Sequence, residues 1–109
     1  MMFELKEPLT INTNRITKEF TYVSRLLTIY DGKITINSPF KWNGITKGIN
    51  TKKTYRGGCV HDALNVARPK PLDNKTCDLI LLDVLKEDGS LLAYPYYYMA
   101  KWFGNYYES

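Results

Sequence analysis

The sequence predicts an α+β fold: an N-terminal antiparallel β-hairpin or small sheet followed by three packed helices. Three observations carry this. Runs rich in β-branched and aromatic residues fill the first half and turn at one Asp-Gly pair, Asp31-Gly32. Longer apolar segments fill the second half, separated by Arg68-Pro69-Lys70-Pro71 and by Asp88-Gly89. Strands come first and helices after, without the alternation of a parallel α/β sheet. At 109 residues the chain has room for one core, so 1–109 reads as one domain, with strands and loop over 1–54 and helices over 55–109.

Taken in order, residues 2–6 read as a strand that ends before Pro8, since proline cannot donate to a ladder. Residues 19–23 (EFTYV) read as a second. Residues 26–30 (LLTIY) and 33–37 (KITIN) flank Asp31-Gly32. That pair suits a type I′ turn, which needs φ > 0 at both central positions. Ile34 and Ile36 alternate with Thr35 and Asn37, the pattern of a strand with one wet face. Residues 38–54, with Pro39, Gly44 and Gly48, read as a long loop, either functional or a surface connector.

A first helix is predicted over 55–67, with Gly57 and Gly58 early in it or just before it. Arg68-Pro69 stops it, because a residue before proline is pushed out of the helical region. Asp73 or Asn74 caps a second helix that runs to about Lys86. Its Leu79, Ile80, Leu82, Val84 and Leu85 cover most of the circumference, which predicts burial on several sides. A third helix is predicted from about Leu91 to Phe103, with Gly104 at the position of a C′ glycine. Pro95 fits only a first turn and moves that start towards Tyr94.

Composition narrows the function classes. With 44% hydrophobic and 24% charged residues the chain is globular rather than disordered. No apolar run approaches the ~18 residues of a membrane span. The start, MMFELKEPLT, lacks the apolar stretch of a secretory signal. The net charge of +4 is a mild bias. Nucleic-acid binding needs a shaped groove or stacking aromatics beside the basic stretch, which the sequence does not show. Two cysteines, Cys59 and Cys77, fit a reducing compartment rather than a disulfide scaffold.

The residues that could carry chemistry gather around the single histidine, His61, with Asp62 beside it and Cys77-Asp78 at the start of the second helix. Successive helical residues lie about 100° apart, so His61 and Asp62 do not pair with each other. Asp78, on a separate helix, can reach His61. A carboxylate on one imidazole nitrogen fixes the tautomer and leaves the other to take a proton from water. The catalytic candidates are therefore His61 and Asp78, with Asp62 as a candidate metal ligand. The same residues also read as a hydrogen-bonded tie between two packed helices. A zinc site from Cys59, His61, Cys77 and Asp78 is disfavoured by geometry. Cys59 and His61 sit about 200° apart on a helix, whereas Cys59 and Asp62 share a face. The two thiols read as buried across the helix pair, or as a disulfide if the chain works outside the cytosol.

From Phe40 onward the chain resembles the family of small phage and prophage proteins known as domain of unknown function thirteen fifty-three. The resemblance rests on His61-Asp62-Ala63-Leu64-Asn65, on Lys75-Thr76-Cys77-Asp78 and on Tyr98-Met99-Ala100-Lys101-Trp102-Phe103-Gly104. Two positions depart from the pattern: Asn43-Gly44-Ile45-Thr46 replaces an acidic turn, and Asn65 replaces a tyrosine. The resemblance implies a phage accessory protein located in the virion or the host cytoplasm. At motif level the same residues are similar to secreted phospholipase A2. That likeness implies His61 as the base, Asp62 as a calcium ligand and Asp78 as the orienting carboxylate. Calcium wants several oxygen ligands and negative surroundings. The upstream segment instead offers Lys47, Lys52, Lys53 and Arg56, which suit an anionic surface or simply solvate a loop.

Aromatics make up 14% of the chain and crowd its end, at Tyr94, Tyr96, Tyr97, Tyr98, Trp102, Phe103, Tyr106 and Tyr107. Consecutive tyrosines on a helix cannot all face inward, so some are expected at the surface, in a contact between proteins made by the third helix and the tail. Two functions follow. One is a virion- or tail-associated or host-interaction component that keeps the His–Asp pair as a clamp. The other is a small hydrolase of lipid esters using His61, Asp78 and water, with calcium at Asp62.

Overall fold

The computed structural model describes residues 3–42 and 52–103 and has the predicted α+β architecture. Six strands precede three helices. They are β1 (Phe3–Leu5), β2 (Leu9–Asn12), β3 (Tyr22–Val23), β4 (Leu27–Tyr30), β5 (Lys33–Ile36), β6 (Phe40–Trp42), α1 (Lys52–Val66), α2 (Asn74–Glu87) and α3 (Ala93–Phe103). Every strand pairing is antiparallel; β2-β5-β4-β3 form one sheet, and β1 with β6 another.

The larger sheet is built from alternation. Leu9, Ile36 and Leu27 lie in one rank across β2, β5 and β4, and Ile11, Ile34 and Ile29 in the next. Five of these six side chains are buried, four of them completely, in a core shared with the helices. The rank between them, Thr10–Thr35–Thr28, faces the other way, and the Thr10 and Thr35 hydroxyls meet at 2.9 Å. A slip of one residue would exchange the two sets, which fixes the register. The β4–β5 turn is the predicted one: Tyr30 faces Lys33, and Asp31 and Gly32 take φ of 53° and 71°.

Several boundaries differ from the sequence reading. Only Tyr22 and Val23 of 19–23 are strand, because the chain turns just before them, where the Phe20 N–H donates to Thr17 O. Leu9–Asn12 and Phe40–Trp42 were not expected as strands; each is short and forms against a partner distant in sequence. The helical half begins at Lys52 rather than 55, since two lysines and a threonine offer no barrier to helix and Thr54 is buried. Residues 43–51, the rest of the expected loop, and Gly104 lie outside the described residues.

The helices end where local chemistry ends them. Asp73 caps α2 by accepting from the Thr76 N–H at 3.0 Å, and its bonds to the Thr76 side chain and then to that N–H hold its carboxyl below the usual range. At the other end Gly89 takes a φ of 77° while its N–H donates to Lys86 O and the Ser90 N–H to Leu85 O. This is the paired closure of a Schellman motif. Pro95 sits in the first turn of α3, where its missing N–H costs no helical bond.

The expectation that α2 is buried on several sides holds, because it carries two apolar stripes. Cys77, Ile80 and Val84 enter the core shared with the sheets and α1. Leu81, Leu82 and Leu85 pack with Ala93 and Tyr96 of α3. An aromatic box of Phe3, Phe40, Trp42 and Tyr55 joins the small sheet to α1, with neighbouring ring centroids 5.0–5.9 Å apart. Among the described residues no helix is long and apolar enough to cross a membrane.

At Gly57 α1 lies close against α2. A methyl placed on it would stand 2.9 Å from Leu85 Cδ2 and 3.2 Å from Leu81 Cδ1, and both leucines are buried. Gly57→Ala would gain about 1 kcal/mol of helix propensity. Overpacking a filled core costs about 1–3 kcal/mol. The variant is therefore expected to show a lower urea midpoint than the parent, and a higher midpoint would mean that the helices separate freely.

Candidate functional site

α1 and α2 run antiparallel, and their facing contacts form a ladder. Arg56 near the start of α1 donates to Asp88 at 2.6 Å, with Glu87 also within reach at 3.3 Å. Gly57 lies against Leu81 and Leu85. One turn further along α1, His61 Nε2 stands 2.8 Å from Asp78 Oδ1. The expected contact between the histidine of the first helix and the acid near the start of the second is therefore made. It is largely removed from water, with side chains 12% and 7% exposed. The Asp73 cap begins α2 where Asp78 falls opposite His61.

The neighbours of the pair divide into roles the sequence had left open. Asn65 is buried and turns back to donate to His61 O at 2.8 Å. Its own carbonyl accepts from Arg68 at 2.6 Å. Asn65 thus reinforces the last turn of α1 and presents no hydroxyl. Asp62 is half-buried, and its charge adds to the larger effect of burial in raising the thiol of Cys59, one turn earlier on its face. Cys59 and Cys77 are both free and fully buried, and burial pushes each thiol up to about 12. These are the buried thiols of the sequence reading; the disulfide alternative is not formed.

Neither metal expectation finds a ligand set among the described residues. No group of three His, Cys, Asp or Glu side chains gathers there to hold an ion. Asp62 alone does not supply the several oxygens that calcium needs. The cations thought to line the upstream loop are also rearranged. Lys52, Lys53 and Arg56 belong to α1, Arg56 is committed to Asp88 and Glu87, and Lys47 lies outside the described residues.

Two features escaped the sequence. A bidentate pair joins Arg15 to Asp83 on α2, with Nε–Oδ2 2.7 Å and Nη2–Oδ1 2.9 Å, across 68 positions of chain. An open cleft of about 770 Å³ lies there, between the Asp31-Gly32 turn and α2. Its wall carries Arg15, Lys18 and Lys33 against Asp31, Asp83 and Glu87, so it has no net sign with which to select an ion. No signal in the sequence pairs these residues.

α3 keeps the expected split between inner and outer aromatics. Ala93 and Tyr96 are buried against α2, with Tyr97, Met99 and Ala100 packed beside them. Tyr94, Tyr98 and Trp102 are exposed, Trp102 at 72%, and recur every four residues along one face. The Tyr98 and Trp102 rings are 6.3 Å apart, and the Lys86 ammonium lies 5.5 Å from the centroid of Tyr94.

The buried thiols give a direct test. Folded, they keep their protons up to about 12, whereas the ordinary thiol pKa is 9.0. The native state therefore binds more protons between these values, so their contribution to stability is full below pH 9 and is lost as pH rises through that window. Ellman's reagent at pH 8 is expected to leave both cysteines unlabelled in the native chain and to label both in guanidinium. Comparison with protein-family models, curated proteins and solved structures finds no match to this chain.

Proposed function

We propose that this chain is a phage-encoded accessory protein, a virion- or tail-associated or host-interaction component that docks onto another protein through α3. The observation that carries the docking is the outward row of Tyr94, Tyr98 and Trp102. Three large aromatics on one face of a small domain cost solubility and contribute nothing to its own core. Tyr and Trp are the residues that dominate protein interfaces. The phage setting rests on the resemblance of the last two thirds of the chain. In this reading His61–Asp78 is a clamp that keeps α1 and α2 in register beneath α3.

A second reading has one specific observation in its favour: the 2.8 Å contact between His61 Nε2 and Asp78 Oδ1. In a water-activating ester hydrolase that contact would orient the imidazole, and Nδ1 would be the atom that takes the proton from water. The shielding of both side chains supports the clamp instead.

His61→Asn separates the two. A clamp predicts a loss of about 1–3 kcal/mol on denaturant unfolding, because Asp78 loses its partner inside the protein. It also predicts that the parent releases no fatty acid from phospholipid or short-chain ester substrates, with or without calcium. Measurable hydrolysis by the parent, abolished in a folded His61→Asn variant of unchanged stability, would replace the clamp with the enzyme.

A further inference from the structure

The aromatic face of α3 has a definite electrostatic character. The helix, AYPYYYMAKWF, contains no acidic residue. Tyr94, Tyr98 and Trp102 advance by only about 40° per step, and Lys101 falls within about 20° of Tyr94 around the axis. Beside Tyr94 stands Lys86, from the last turn of α2, with its ammonium 3.5 Å from the tyrosine hydroxyl. One edge of the row thus carries two ammonium groups, Lys86 at its start and Lys101 seven residues further along the helix. The nearby carboxylates of Glu87 and Asp88 are turned to Arg56, and among the described residues neither Lys86 nor Lys101 has an acidic partner.

We infer that the occupant of this face is an acidic polypeptide: a partner helix with carboxylates about seven residues apart and apolar side chains between them. The spacing follows from the helix itself. Tyr94, where Lys86 sits, and Lys101 are separated by roughly 10 Å of helical rise, which is the rise of seven residues on a partner helix. Carboxylates at those points meet the two ammonium groups, while apolar positions between and beside them cover Tyr98 and Trp102. Charge pairing at the rim sets register and partner choice, while the buried aromatics hold the complex.

Other occupants fit less well. A second copy would set the same two lysines against each other, with no acid on the helix to neutralise them. An anionic bilayer is recognised by clusters of roughly four to eight basic residues, and among the described residues this face has two, Lys86 and Lys101. Nucleic acid needs several phosphates neutralised at once.

The inference rests on the docking reading, so the test separates the failure of one from the failure of the other. A synthetic amphipathic helical peptide, leucine on one face and bordered by glutamates seven positions apart, is titrated into the full chain while tryptophan emission is followed. Trp42 is buried, so the change reports Trp102. Saturable binding is expected, at least tenfold weaker for the peptide with glutamine in place of glutamate. It is expected to weaken at least tenfold in Lys86→Glu/Lys101→Glu at unchanged circular dichroism, and to return when that variant meets a lysine-bordered peptide. Equal binding of the glutamate and glutamine peptides would overturn the acidic partner and leave docking intact. No binding of either peptide would overturn both. Binding to phosphatidylglycerol vesicles instead, or self-association abolished by Trp102→Ala, would overturn the acidic partner in favour of a lipid surface or a second copy.

Discussion

The constraint on which this small fold depends is that α2 must be dry on two sides at once. Its stripe of Cys77, Ile80 and Val84 closes the core over the sheets and α1, and its stripe of Leu81, Leu82 and Leu85 holds α3. A helix buried on that much of its circumference has few positions left for charge. Lys75, Asp83, Lys86 and Glu87 take them on the outer side, where Asp83 and Glu87 pair with arginines from elsewhere in the chain. Asp78 is the exception, a carboxylate inside the contact with α1. A carboxylate there is tolerable only with a donor, and His61 is placed to serve.

The same logic explains why α1 combines glycine, small residues and one imidazole. Gly57 lets the helix backbones approach near Leu81 and Leu85, while Cys59 and Ala63, on the other side of α1, are buried in the core shared with the sheets. Close approach shortens the reach His61 needs to meet Asp78 and shields the pair from water. A shielded pair is weak evidence that the protein is more stable for having it, since an apolar pair of similar shape can serve as well. Its cost lies in being broken. This asymmetry lets one contact serve either as a clamp or as an oriented base without any difference in its geometry, so function here has to be read from what surrounds the pair.

How far the fold was legible depends on how local its causes are. The Asp31-Gly32 turn, the Asp73 cap and the close of α2 at Asp88-Gly89 are each written in a few adjacent residues, and each is found where it was read. The His61–Asp78 contact was legible for a related reason. Two helices joined by a short proline-bearing link must lie antiparallel, which brings the end of one to the start of the next. β2 and β6 were not legible, because three or four residues become a strand only when a remote partner supplies hydrogen bonds. The Arg15–Asp83 and Arg56–Asp88 pairs and the box of Phe3, Phe40, Trp42 and Tyr55 were hidden for the same reason: each joins segments that only the finished fold brings together.

The placement of aromatic residues then separates two jobs. The box around Trp42 is internal: it fastens the β1–β6 pair to α1, with the Tyr55 hydroxyl donating to Glu4 O at 3.1 Å. The rings of α3 are divided, Tyr96 inward and Tyr94, Tyr98 and Trp102 outward. Were the outer rings needed only to complete the fold, the stripe of Ala93, Tyr96, Met99 and Ala100 against α2 would make them redundant. Aliphatic or charged side chains would support the helix as well and would not risk aggregation. What tyrosine and tryptophan add is rigid area with a polar tip, suited to a surface that is wet when alone and dry when covered. In this chain the His61–Asp78 contact joins α1 to α2 inside the protein, and α3, fixed through the second stripe of α2, carries the outward aromatic face.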